Sequence, residues 1–312
     1  ANMPSTKFIK QRIKSVRSTA QITKAMEAVS ATKMRKSQEF AIRARPYAVA
    51  SLEMLKNLLE RNSVQPILLQ KKEVKNSALL VITSDKGLAG AFNSNVIKKA
   101  EKWIENKKSA GLSFVLLTVG KKAKDHFTRR GLIPEKSFWN FGDFSELKDT
   151  LPVAETILQG FLQNSWGEVE AVYTNFRSTL KQEAVLKKIL PVTKEGIEEV
   201  VKGILPKQGK YAEAQSVNRK AQSEYNYEYK FEPSPAEILD KLVPQLLYMH
   251  VHHLILESNA SEHSARMVAM KSASDNAREL ITDLTLLFNK ARQAGITSEL
   301  TEITAGREAL EN

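Results

Sequence analysis

Residues 270–294 read MKSASDNARELITDLTLLFNKARQA. Met270, Ala273, Ala277, Leu280, Leu284, Leu287, Ala291 and Ala294 recur at alternating spacings of three and four, the heptad seam of a helix that packs along another helix. Alanines at several of those layers allow a close approach. No proline interrupts the chain from Gln245 to the C-terminus. Counted from Pro235, the segment holds about 75 residues and would reach roughly 100 Å if unbroken, longer than an ordinary domain is wide.

The N-terminal segment is the expected partner. Ser5 to Arg45 contains neither proline nor glycine, and Ile9, Ile13, Val16 and Ala20 form one seam. Ile22, Met26 and Val29 continue it after an offset of about two residues, which predicts a stutter in the supercoil. Pro46 marks a boundary, after which YAVASLEMLKNLLE (47–60) resumes helical spacing. The expected organisation is an N-terminal helical segment (1–60), a central domain (77–232) and a C-terminal helix (235–312). Because a domain intervenes, the two terminal helices can pair antiparallel as one discontinuous coiled coil.

Glycine placement marks the middle as different. Eleven of the thirteen glycines fall between Gly87 and Gly209, so the termini read as helical and the centre as turn-rich. SALLVITSD (77–85), SFVLLTVG (113–120) and EVEAVYTNF (168–176) are short apolar, β-branched runs, with helical candidates at 93–109, 121–130 and 151–164. Strand, helix and strand at this spacing predict right-handed crossovers and a largely parallel, Rossmann-like α/β domain. QEAVLKKILPV (182–192) reads as a further strand, antiparallel at an edge. Residues 193–224 read as irregular, and YNYEYKF (225–231) places Tyr225, Tyr227, Tyr229 and Phe231 on one face if extended.

Composition excludes several classes. With 42% hydrophobic and 26% charged residues the chain can bury a core and is neither disordered nor collagen-like. No apolar run approaches the roughly 18 to 20 residues needed to span a bilayer, and the N-terminus lacks the apolar core of a secretory signal. The absence of cysteine removes disulfides, thiolate zinc sites and thiol catalysis, and fits a reducing compartment. The net charge of +12 is concentrated: residues 1–45 hold eleven Lys and Arg against Glu27 and Glu39. Such an arm fits an acidic partner surface, nucleic acid or anionic lipid, or simply a solvated helix face.

Chemistry-bearing motifs are sparse. SDKGLAGAFN follows a strand and opens a helix, where phosphate loops occur, but Gly87 and Gly90 give only G-x-x-G, and no Lys-Ser/Thr ending follows. A structural turn is the reading. His250 and His253 share a helix face with Glu257, either as a metal-ligand set or as a wetted helical surface, and no H-E-x-x-H is present. Ser261, His263 and Asp275 lie near one another in sequence without an activated nucleophile or oxyanion site. No cofactor or metal is expected.

Four blocks carry a specific resemblance. ITKAMEAVSATKMRKSQ (22–38), TSDKGLAGAFNSN (83–95), SARMVAMKSASDNA (264–277) and NKARQAGITSELTEI (289–303) resemble, in order, the hallmark blocks of the gamma subunit family of F-type ATP synthase. EYKFEPSPAEIL (228–239) is similar to that family's return into its C-terminal helix. The resemblance implies an antiparallel coiled coil inside a ring of three alpha and three beta subunits. It implies as well an α/β domain on the membrane rotor, contacts with epsilon and the c-subunit ring, and a peripheral place on the cytoplasmic face of an energy-transducing membrane. The function implied is a non-catalytic rotor that couples rotation to ATP synthesis or hydrolysis.

The same resemblance assigns partner contacts. Arg292 and Gln293 match the family's catch positions, which hydrogen-bond a beta-subunit loop; the Arg fork suits a carboxylate, and Gln both donates and accepts. Met26 falls where the family has a small contact with an acidic helix-turn-helix of beta, and Lys24, Lys33, Arg35 and Lys36 supply complementary charge. Two departures stand out. TEITAGREAL puts Arg307 where the family's final block is apolar, and LAGAF carries Ala89 where many members have cysteine, so dithiol control is excluded. A basic coiled-coil protein that binds nucleic acid is the alternative reading. Trp103, Trp139 and Trp166 all lie outside the basic arm, which therefore offers little base stacking. A small-molecule enzyme would leave the long helices without a task.

Overall fold

A serine N-cap starts the longest helix. Ser234 Oγ accepts the Glu237 N–H at 3.3 Å and donates to Glu237 Oε1 at 3.0 Å, with Pro235 at the first helical position, where its missing N–H costs nothing. In the computed structural model, which describes residues 6–43, 50, 54, 67–70, 72, 76–141, 145–192 and 234–311, that helix runs Pro235–Glu311 over 77 residues. The first helix, α1, is Thr6–Arg43, with 38 residues. Of the segment 47–60 only residues 50 and 54 are described, and 193–224 and 225–231 lie outside the described residues.

Between them the order is β1 (Ser77–Ile82), α2 (Phe92–Ser109), β2 (Phe114–Val119), α3 (Lys121–Arg129), β3 (Lys136–Phe138), α4 (Leu147–Leu162), β4 (Glu168–Phe176) and β5 (Gln182–Leu190), with α5 the long C-terminal helix. The sheet order is β3-β2-β1-β4-β5. The first four strands are parallel, β5 runs antiparallel to β4 at the edge, and a bulge interrupts that pair between Val169 and Glu170. The three strands read from sequence and the antiparallel edge strand are all present. β3 is the addition: its three residues, Lys136, Ser137 and Phe138, are too few to show a period.

β1 is buried at all six positions because both faces are covered. Ala78, Leu80 and Ile82 face a core with Val153, Ile157 and Phe161 of α4, whereas Leu79 and Val81 face Val96, Trp103 and Phe127 of α2 and α3. Alternation by two thus feeds two cores from one strand. At the strand ends the backbones come close: Gly120 has φ +91, and a Cβ there would collide with the Thr83 carbonyl.

The chain forms two compact units, Ala1–Ala31 with Arg266–Asn312, and Thr32–Ala265. The division falls inside both long helices, unlike the expected limits at 60 and 235. Its cause is packing: Leu239, Leu242, Val243, Leu247, Val251, Leu254 and Ile255 of α5 belong to the core of the sheet.

Candidate functional site

In the helical unit, α1 and α5 bury one seam. Ile9, Leu284 and Ala291 form an apolar cluster at 2%, 8% and 7% exposure, with Ile13, Val16 and Phe288 packed against it. Further along, Ser274 Oγ donates to the Ala20 carbonyl oxygen at 3.5 Å. Residue numbers rise on α1 as they fall on α5, so the pair is antiparallel.

The seam differs from expectation on both helices. On α1 the buried heptad continues without offset through Thr23 and Ser30, while Ile22 and Val29 are 58% and 52% exposed. There is no stutter; polar residues carry the layers that an apolar count skips. Thr23 Oγ1 donates back to the Thr19 carbonyl at 3.0 Å and the Ala20 carbonyl at 3.1 Å, so the hydroxyl is satisfied and can be buried. Met34 and Ser37 continue the spacing, and Ser37 Oγ donates to the Lys33 carbonyl in the same way.

On α5, Met270, Ala277, Leu284 and Ala291 are buried, one heptad position held for four repeats. The companion layer is Ser274, Ile281 and Phe288, shifted one residue from the expected Ala273, Leu280, Leu287 and Ala294. Ala273 is half-buried, Leu280 and Leu287 are 38% and 39% exposed, and Ala294 is exposed. Both members of the pairs Leu280/Ile281 and Leu287/Phe288 are apolar, so spacing does not choose between them. Ser274, small and polar, is the residue that reaches α1.

The proposed contact residues fall outside the seam. Arg292 and Gln293 are exposed immediately after buried Ala291. Every residue from 292 to 307 is exposed, and Ile296, Leu300 and Ile303 repeat at four and three along that stretch. Met26 is half-buried, and Lys24 reaches Glu27 Oε2 at 2.9 Å from an exposed position. In the other unit, Arg35 and Lys36 are exposed and Lys33 is half-buried.

The carboxylate in the first loop of the α/β unit is held at the start of α3, not of α2. Asp85 Oδ1 accepts the Lys121 N–H at the start of α3 and Oδ2 accepts the Asn140 N–H, each at 2.8 Å, so a carboxylate occupies the place an anion would take. The Ser84 N–H donates to Asn93 Oδ1 at 3.0 Å. Within the G-x-x-G turn the Phe92 N–H donates to the Ala89 carbonyl at 3.2 Å, and Gly90 has φ +56.

The histidines are not a wetted surface. His250 and His253 are partly buried against the sheet, with the Nε2 of His250 out of reach of solvent, and His252 is 7% exposed with Nδ1 2.9 Å from Thr150 Oγ1. Among the described residues no group of His, Cys, Asp and Glu has an arrangement that could hold a metal. Ser261 Oγ donates to the Thr174 carbonyl, and Asp275 lies beside Arg278.

A family model described as ATP synthase matches residues 5–310. The chain belongs to the ATP synthase gamma family. It is 39% identical over 312 residues to the ATP synthase gamma chain of Chloroflexus aurantiacus, covering 99% of each chain. To that of Gloeothece citriformis it is 38% identical over 314 residues, covering 99% of this chain and 100% of the relative. Among solved structures, the central stalk and c-ring of Tetrahymena thermophila mitochondrial ATP synthase contains a chain 26% identical, with TM-score 0.57, covering 81% of this chain and 99% of that one. A chain of the Euglena gracilis mitochondrial ATP synthase shares the fold at TM-score 0.64 and 20% identity, covering 98% and 94%. A gamma-family chain is a central-stalk subunit of a larger ATP synthase complex, and none of these relatives supports the nucleic-acid reading. No helix among the described residues is long and apolar enough to cross a membrane.

Proposed function

We propose that this gamma-family chain is the non-catalytic rotor shaft of its ATP synthase, turning inside a ring of three alpha and three beta subunits. In this reading the α/β unit meets epsilon and the membrane c-subunit ring, on the cytoplasmic face of the membrane. The observation that carries the reading is the end of the seam at Ala291. Beyond it Arg292 and Gln293 are exposed, followed by an apolar stripe, Ile296, Leu300 and Ile303, that no described residue of α1 covers.

The mechanism follows from symmetry. Three alike catalytic sites stay alike unless something asymmetric lies on their axis, and one helical pair shows each beta subunit a different face. Turning the shaft then alters nucleotide affinity at each site in sequence. Driving a site from 1:99 to 99:1 between open and closed needs a differential interaction of about 5.5 kcal/mol. A stiff shaft with a few strong contacts supplies that without reactive side chains. Arg292 offers a planar fork to a carboxylate and Gln293 a donor and an acceptor to the same beta loop. Lys24, Lys33, Arg35, Lys36 and Met26 face the acidic beta element in this assignment.

Purification from detergent-solubilised membranes tests it. Recovery with alpha, beta and epsilon is the expected result. Isolation of the chain as a free monomer from membranes that retain an intact ATP synthase contradicts it.

A further inference from the structure

His250 and Glu257 lie two turns apart on α5, on the face that packs against the sheet beside Val251, Leu254 and Ile255. The Nε2 of His250 is closed off from solvent and meets no hydrogen-bond partner among the described residues. The Glu257 side chain is 11% exposed. Its Oε1 accepts the Phe176 N–H of β4 at 3.3 Å, and the Tyr173 side chain of β4 bonds the same carboxyl. Around the pair stand Lys187 of β5, Arg177 just beyond β4, and His253, whose Nε2 is 3.9 Å from Glu257 Oε2, beyond hydrogen-bond reach.

Removing either group from water penalises its charged form. For the carboxyl the neutral form carries the proton; for the imidazole it lacks it. We propose that His250 and Glu257 make the joint between α5 and the β4–β5 edge pH-compensated: on docking the acid takes up a proton while the imidazole gives one up. Burial pushes Glu257 up from the ordinary 4.5 to about 7, and pushes His250 down from 6.5 to about 3, with the charges of Lys187 and His253 adding to the latter. The signs oppose each other. Glu257 favours docking fully below pH 4.5 and loses that contribution as the pH rises toward 7. His250 favours docking fully above pH 6.5 and loses its contribution as the pH falls toward 3. Between 4.5 and 6.5 the two slopes cancel. The joint lies within the α/β unit, so its behaviour is independent of the rotor assignment.

Hydrogen exchange of the full chain reads this directly, through the protection of the Phe176 amide and the amides of residues 250–257, corrected for intrinsic rates. Relative to wild type, E257Q should gain protection with rising pH by about tenfold per unit between about pH 5 and 6.5. H250Q should lose about tenfold per unit over the same range, and the double variant should run parallel to wild type. Either single variant running parallel to wild type, or both departing in one direction, overturns the proposal. Should a variant fail to fold, carbon-13 NMR of the glutamate carboxyls of the wild-type chain decides instead. One carboxyl keeping its proton to about pH 7 supports the compensated joint, and all of them ionising near pH 4.5 sinks it.

Discussion

Ile9 and Leu284 occupy one buried cluster, at 2% and 8% exposure, although they belong to opposite ends of the chain. Leu284→Asp places a carboxylate in that cluster and should cost about 3 kcal/mol or more, through desolvation and lost packing. Leu287→Asp, at a position 39% exposed, should cost under about 1 kcal/mol. Thermal unfolding of the two variants, followed by circular dichroism, separates the cases. Equal losses would place Leu287 in the seam after all.

Two glycines make opposite predictions. A Cβ on Gly160 would collide with the indole of Trp166, which is 2% exposed and donates from Nε1 to the Ile157 carbonyl at 3.2 Å. Gly160→Ala should therefore destabilise the α/β unit by about 1 to 3 kcal/mol and alter the near-ultraviolet dichroism of Trp166. At Gly295 an added methyl would meet nothing within 4 Å, and the residue lies inside a helix, so Gly295→Ala should stabilise α5 locally by up to about 1 kcal/mol. A melting temperature unchanged by the first substitution contradicts the packing around Trp166.

How much of this is legible in the sequence depends on what each position signals. The strands are legible because β1 and β2 need apolar side chains on both faces, which leaves a nearly continuous run, and β4 keeps an apolar, β-branched centre from Ala171 to Tyr173 although Glu168 and Glu170 interrupt its start. β3 is not, since three residues with an exposed Lys136 carry no pattern. The antiparallel pairing of the helices follows from two long seams separated by a domain. Their layers depart from the apolar count where hydrophobicity is a poor guide. Thr23 and Ser274 are buried with hydroxyls that bond helix carbonyls, and Ser30 is buried as well, while Ile22, Val29 and Leu280 remain exposed. The burial of His250 is equally hidden, because an imidazole on an apolar face looks the same in sequence whether it is wet or packed.

The first strand-to-helix loop predicts an absence of nucleotide chemistry in the isolated chain. Asp85 holds the Lys121 and Asn140 amides, and its charge opposes a phosphate at the start of α3. Calorimetric titration of the chain with Mg-ATP should show no binding in the micromolar range. Heat of binding with a one-to-one stoichiometry would overturn the structural reading of SDKGLAGAFN.

Arg292 and Gln293 test coupling apart from folding. Both are exposed, so Arg292→Ala with Gln293→Ala should leave the unfolding of the isolated chain within about 0.5 kcal/mol of wild type. If the pair bonds a beta loop at one rotor angle, the loss of a charge-assisted bond, about 1.5 to 3 kcal/mol, should slow turnover of the reconstituted complex roughly 10- to 150-fold. Full turnover in a normally assembled complex removes the contact assignment. An unfolded subunit shows that the pair was structural.

In the proposed assembly this chain turns. With the complex immobilised through its beta subunits and a reporter bead fixed to the α/β unit, ATP should drive rotation in one direction, pausing about every 120° if the proposed ring is threefold. A reporter that stays still while the same complexes hydrolyse ATP at their full rate would contradict the account.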